Sequence, residues 1–487
     1  MVFYSVEFIQ FFVLFFFLYW LVFRQNIKWQ NLLLLAGSYT FYALWDWRFL
    51  FLLAGSSAIT YLLGLYISKT DNEKRQKIFL FIGLVFGLGV LLFFKYYNFF
   101  INSFVKVFSA FNFSLDIHTL NLILPLGISF YTFRSISYLL DISNERIKPT
   151  SNWVVFFTYI SFFPTLLAGP IDKARDFIPQ LENKRTFNYG LAVDGMRQIL
   201  WGLFKKIVIA DNCTVLTNYT FDNYPTLPAS SLLIGAFFYS IQVYADFSGY
   251  SDMAIGFSRL IGFNVTQNFN FPFFSKNIAE FWQNWHISLT TWMSEYVFNP
   301  LSFLFRKYKK WGLVIAIIIN FILIGIWHGD NLTFILFGFL HGCYFVPLIM
   351  KGTLSNSKKV ATYNFIPKLN EFIKMAGVFT LVSLTTVIFR ADSIKQACHY
   401  YTGILSLSLF DKPYLKSVEL KTGMITTSFF ILFMFIIEWL GRDQQYGIAN
   451  FGFKFPKTLR WFFYSLLLFF IGMFMNTSGT PFLYFKF

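Results

Sequence analysis

The chain has 487 residues, of which 56% are hydrophobic and 13% charged, where an average globular chain carries about 25% charge. A polar shell that thin cannot cover a water-soluble protein of this length, so a soluble enzyme, a nucleic-acid binder and a disordered chain are excluded and lipid is the main solvent. The net charge of +16 reads as the Lys and Arg of cytoplasmic loops, because the charges fall between apolar runs.

In chain order, the run 8–23 has Glu7 before it instead of a basic segment, and no small-residue cleavage site after it. It predicts a retained membrane helix with its N-terminus outside. Further apolar runs occupy 31–45, 49–67, 78–100, 121–140, 153–169, 190–210, 231–262, 312–327, 332–350, 373–389, 424–440 and 460–476. Set against the ~20 residues that cross a bilayer, they predict an all-α polytopic membrane protein of about 11–13 segments, some of them re-entrant. One integral membrane domain over 1–487 is expected, with N-terminal helices to residue 120, a core over 121–350 and C-terminal helices over 351–487.

Loop charge gives an orientation. Lys69, Lys74, Arg75 and Lys77 mark one inside loop, Arg146 and Lys148 a second, and Lys173, Arg175, Lys184 and Arg185 a third. Two successive inside loops flank 153–169, which holds Pro164 and Gly169-Pro170, so this run is expected to be re-entrant. Loop 211–229 has no Lys or Arg and should be outside, whereas Arg306, Lys307, Lys309 and Lys310 should be inside. The polar and aromatic stretch 263–311 does not read as a simple span. Cys213, Cys343 and Cys398 are scattered, which implies neither a disulfide framework nor a zinc site. The 70 Phe fit a biased base composition, since Lys outnumbers Arg 27 to 13 and both Lys and Phe have AT-rich codons.

Ionisable groups in apolar surroundings are functional candidates by default. His118 lies in a polar loop and His399 in an amphipathic stretch, and both read as structural. His328 follows an apolar run and precedes Gly329, Asp330 and Asn331, residues that break a helix. There it suits a general base facing a cavity, or a loop-tip residue at the membrane surface. His341 is 13 residues further on, which in one straight helix is ~20 Å and about 140° around the axis. The two share a centre only if the helix breaks, as Gly329 allows, so His341 reads as packing or support. His286 lies in NIAEFWQNWHISLTTW beside Asn284, with Trp282, Trp285 and Trp292 around it. That cluster fits an interfacial aromatic belt or a pocket for an acyl group. Asp246, Ser248 and Asp252, in YADFSGYSDMAIG, fit a tunnel lining or a hydrogen-bonded scaffold, with scaffold preferred. There is no GxxxxGK[ST] loop and no HExxH, and the glycines inside apolar runs read as close helix packing.

The succession DFSGYSDMAIGFSRLIGFNVTQNFNFPF, FWQNWHISLTTW and GIWHGDNLTFILFGFLHG resembles the membrane-bound O-acyltransferases, and within them the bacterial alginate and peptidoglycan O-acetyltransferase branch. SVEFIQFFVLFFFLYW, FPTLLAGPI, VIFRADSIKQA and the terminal PFLYFKF are similar to flanking segments of that branch, so the resemblance covers nearly the whole chain. It departs at MSEYVFNPLSFLFRK, where Ser294 and Glu295 stand in place of an Arg-Asp pair.

The resemblance implies a fold with a tunnel or funnel in the bacterial inner membrane. It implies His328 and His286 as the catalytic histidines, and Asn284, Trp282, Trp285, Trp327, Asp330, Asn331, Asp246, Ser248 and Asp252 as substrate or tunnel candidates. No metal and no bound cofactor are implied; acetyl-CoA or another acyl thioester is the donor. Membrane lipids, a periplasmic acetyltransferase partner or small carrier, and a polysaccharide acceptor are the implied partners, without nucleic acid. A transporter or flippase of a polysaccharide or lipid intermediate, D-alanyl transfer to teichoic acid, and a non-catalytic scaffold subunit are the competing readings.

Overall fold

The computed structural model describes residues 2–110, 122–354, 366–453 and 455–475; His118 and the PFLYFKF segment lie outside them. Among the described residues the regular structure is helical: α1 Val6–Phe17, α2 Ile27–Asp46, α3 Arg48–Lys69, α4 Glu73–Ala110, α5 Ile128–Ser143, α6 Trp153–Ser161, α7 Phe163–Leu166, α8 Ala174–Glu182, α9 Tyr189–Leu203, α10 Asp211–Asp222, α11 Ala229–Leu260, α12 Ile278–Asn284, α13 Ile287–Met293, α14 Asn299–Leu304, α15 Lys309–His328, α16 Leu332–Tyr344, α17 Val346–Lys351, α18 Leu369–Arg390, α19 Ile394–Ile404, α20 Val418–Leu440 and α21 Lys457–Phe474. Among the described residues, seven helices are long and apolar enough to cross a membrane: Arg48–Lys69, Glu73–Val105, Arg306–His328, Leu332–Lys351, Leu369–Arg390, Val418–Leu440 and Lys457–Phe474, with Val6–Val22 a shorter apolar helix. The other predicted runs are helical but shorter or more polar. The stretch 263–311 breaks into short helices, as its composition implies.

The chain forms two compact units, one of Met1–Ala192 with Ser258–Thr266 and one of Val193–Phe257 with Gln267–Phe487. In the first, the run 153–169 is divided at Phe162 into α6 and α7, of nine and four residues, neither long enough to span. Breaking a helix frees backbone carbonyls, which must be satisfied away from water. Arg134 on α5 does this: its guanidinium, 1% exposed, donates to the carbonyls of Tyr159, Ile160, Thr165 and Pro170, each at 3.2 Å, and to the Thr165 hydroxyl. Nearby, Asp172 accepts from the backbone N–H and the hydroxyl of Thr266, each at 2.8 Å. Burial raises the Asp172 carboxyl to about 6, with the Arg134 charge opposing it.

In the second unit, a π-helical turn at Phe204–Ala210 follows α9 and carries two buried lysines. Lys205 pairs with Asp252 at 2.7 Å and reaches Glu438 at 3.9 Å, and Lys206 pairs with Asp246 at 2.7 Å and Asp211 at 2.8 Å. Tyr244 donates to Glu438 at 2.8 Å, and Gln198 to Asp252 at 2.8 Å. These bonds pin α11 against α9 and α20. Gly202 and Gly249 approach so closely that a Cβ on either would meet the other's carbonyl oxygen.

Candidate active site

The site is built on an antiparallel hairpin of α15 and α16. His328 is the last residue of α15. Asn331 caps α16 by accepting from the Thr333 N–H at 3.1 Å, and its own amide donates to the Asp392 carbonyl at 2.7 Å. A Cβ at Gly325 would meet the carbonyl oxygen of Phe334, and one at Gly338 that of Phe321, so the two backbones touch where glycine permits it. The expected close packing at glycine is thus realised here.

A narrow cavity of about 40 Å³ opens against this hairpin, walled by Val243, Phe281, Trp282, Trp285, His328, Phe337, His341, Val382, Thr386 and Phe389. Its volume admits roughly three water molecules. His328 is buried, its ring edge-on to Phe389 at 4.9 Å and beside Trp327 at 4.7 Å. His341 is 0% exposed, and its Nδ1 accepts from the indole N–H of Trp282 at 3.1 Å. The hairpin therefore brings both histidines to one cavity, where the sequence reading assigned His341 to packing or support. The break after His328 reverses the chain, so the straight-helix geometry that separated the two does not apply.

His286 takes a different position. It precedes α13 in the left-handed region, φ 44° and ψ 53°, and its buried ring packs edge-on against Phe247 at 4.6 Å and beside Trp327 at 5.8 Å. Trp327 thus contacts both His286 and His328, and His286 is not in the cavity wall. Burial pushes its pKa down to about 3, so it is neutral at physiological pH.

Trp282 and Trp285 line the cavity. The other candidates stand outside its wall. Asn284 donates to the Glu280 carbonyl at 2.9 Å and accepts from Asn270 at 3.2 Å, which makes it a tie within its own loop. Asp330 is exposed at the turn, and Asn331 is the α16 cap. Asp246 and Asp252 are held by Lys206 and Lys205, and Ser248 is buried between them on α11, an arrangement that matches the scaffold alternative. Arg134, Lys205, Lys206 and Glu438 were not singled out from the sequence. The signal was available, since each is an ionisable residue within an apolar run.

The sequence profile of the membrane-bound O-acyltransferase family matches residues 8–385, and the chain belongs to that family. It is a multi-pass membrane O-acyltransferase, which sets aside the transporter and scaffold readings. It is similar to "Probable alginate O-acetylase AlgI" of Pseudomonas putida, at 32% identity over 490 residues covering 96% of each chain. It is 32% identical to the peptidoglycan O-acetyltransferase of Helicobacter pylori over 412 residues, 79% of this chain and 76% of the relative. It is 33% identical to the teichoic acid D-alanyltransferase of Bacillus subtilis over 294 residues, 58% of this chain and 70% of the relative.

Proposed function

We propose that this enzyme takes an acetyl group from acetyl-CoA, or another acyl thioester, on the cytoplasmic side and delivers it across the bacterial inner membrane to a hydroxyl of a cell-surface polysaccharide, directly or through a periplasmic partner. The observation that carries this reading is His328 in the wall of a small, mostly apolar cavity at the end of a helix long enough to span. The basic cluster Arg306, Lys307, Lys309 and Lys310 at the other end of that helix supports a cytoplasmic start, and an N-terminus outside follows the same charge rule. Twenty residues of helix reach about 30 Å, so on that orientation His328 faces the outer half of the bilayer, on the acceptor's side.

In the proposed step a nitrogen of His328 takes the acceptor hydroxyl proton as the oxygen attacks the thioester carbon. The C–O bond forms, the C–S bond breaks, and the thiolate leaves with that proton. His286, buttressed by Phe247 and touching Trp327, acts as a positioning residue for the ring pair Trp327–His328. Acetyl is favoured over D-alanyl because the acetylase similarity spans 96% of the chain and the D-alanyltransferase similarity 58%. Among the described residues the cavity wall also has no acid to meet an alanyl ammonium, and an unpaired charge is costly in such surroundings.

General-base help contributes about 100–10,000-fold. A His328→Ala protein that is folded and inserted should therefore lose at least ~100-fold in acetyl transfer from labelled acetyl-CoA in proteoliposomes. Activity retained within a few-fold in that variant would refute the assignment.

A further inference from the structure

We propose that His341 is a second catalytic residue of this cavity, whose Nε2–H donates a hydrogen bond to the acyl oxygen as negative charge develops there. The inference rests on the acyl-transfer reading of the cavity and adds to it the group that stabilises the oxyanion.

The first support is placement. His341 and His328 wall the same cavity, and the α15–α16 hairpin holds their backbones in contact at Gly325 and Gly338. The second is chemical. An indole N–H is a donor only, so the 3.1 Å bond from Trp282 requires a lone pair on His341 Nδ1. A proton on Nδ1 would set one N–H against the other. The ring is therefore the neutral tautomer with its hydrogen on Nε2, and this follows from the bond alone.

The third support is the state of that nitrogen. Nε2 of His341 is buried and has no hydrogen-bond partner among the described residues. Buried polar groups in native proteins are almost always paired, and an exception calls for an explanation, a catalytic role among them. The ring is also fixed in orientation, perpendicular to Trp282 at 5.1 Å and tilted against Phe337 at 4.4 Å. A donor held still in a mostly apolar pocket stabilises developing charge without reorganising at the moment of reaction.

The step balances. As the acceptor oxygen bonds to the thioester carbon, the carbonyl π pair moves onto the acyl oxygen, and Nε2–H of His341 donates to it. The hydroxyl proton rests on His328. Collapse reforms the carbonyl and expels the thiolate, which takes that proton. His341 neither gains nor loses one. Trp282 acts through His341 and is a positioning residue.

The test uses the full-length protein in proteoliposomes, with labelled acetyl-CoA as donor and a uronic-acid oligosaccharide as the acceptor probe, and equal melting temperatures as the check on folding. His341→Phe should lower kcat by about 100–1,000-fold, the usual effect of removing one oxyanion donor. KM for acetyl-CoA should stay within about threefold, because ground-state contact is not what is lost. His341→Gln, which keeps an N–H donor, should recover at least about tenfold over the Phe variant. Trp282→Phe keeps His341 but frees its tautomer, and should lower kcat while leaving KM for acetyl-CoA within about threefold. A folded His341→Phe protein with near wild-type kcat overturns the proposal, as does a loss confined to KM or a Gln variant no better than Phe. Where the Phe variant does not fold, an unchanged kcat in Trp282→Phe overturns it. His328→Ala run in parallel separates the two readings. If it is inactive while His341→Phe is active, only the oxyanion donor is refuted; if it is active, the base assignment fails.

Discussion

His328 owes its position to the backbone around it as much as to its ring. Gly329 continues in an extended conformation beneath the Phe334 ring, where a Cβ would collide with that ring, so any larger residue would displace Phe334 from its packing against His328 and Phe389. His286 shows the opposite case, a non-glycine residue held at positive φ, a conformation that persists only where surrounding packing enforces it. Its environment sets its chemistry. Burial disfavours the imidazolium and lowers the pKa to about 3, so between pH 5 and 8 the group stays neutral and contributes no titration. A kcat inflection within that interval therefore belongs to another group and should survive in His286→Asn, measured as kcat against pH; its disappearance would reassign the titrating residue. His286 was legible in the sequence as part of a Trp-rich segment. Its position outside the cavity wall was not, because the side a residue presents depends on the local φ, and a single left-handed residue changes it.

At the level of elements, the α15–α16 hairpin converts two distant histidines into one site. Its glycines are structural necessities, since the carbonyl of Phe321 lies where a side chain at Gly338 would begin. Gly338→Val should push the helices apart, destabilise the protein by about 1–3 kcal/mol as overpacking does, and reduce transfer as the two histidines separate. Gly377, on α18 with open space around it, is the control: Gly377→Ala should leave both melting temperature and activity unchanged. Melting in detergent alongside acetyl transfer reads both effects. The hairpin was partly legible, since Gly329 to Asn331 announced a break and the glycine pattern announced close packing. Its consequence for His341 was hidden, because periodicity describes one helix at a time.

Across the whole molecule, scarce charge is used where the backbone or another charge needs it. Arg134 caps four carbonyls released by the α6–α7 break, and Lys205 and Lys206 neutralise acids of α11 and α20. A proline-containing segment with unpaired carbonyls in apolar surroundings does not persist without such a donor. Arg134→Leu removes it and strands those carbonyls, at about 1–3 kcal/mol for each buried group left unsatisfied. The expected result is a large fall in monodisperse protein after detergent extraction, read by size-exclusion chromatography, and a normal profile would show that the break is held by other means.

The amino-acid sequence alone determined the solvent, the helical class, the family and the candidacy of His328. These follow from composition, from apolar run length and from short ordered motifs, all of which are local properties of the chain. Tertiary structure decided the rest. It joined His341 to His328 at one cavity, set His286 beside Trp327 and outside the cavity wall, and paired Asp246 and Asp252 with lysines some 40 to 50 residues away in sequence. The physical reason is that a site is a set of contacts between elements. Which faces meet is settled by backbone breaks, glycine approaches and buried donors acting together, and that combination is not visible along a single helix.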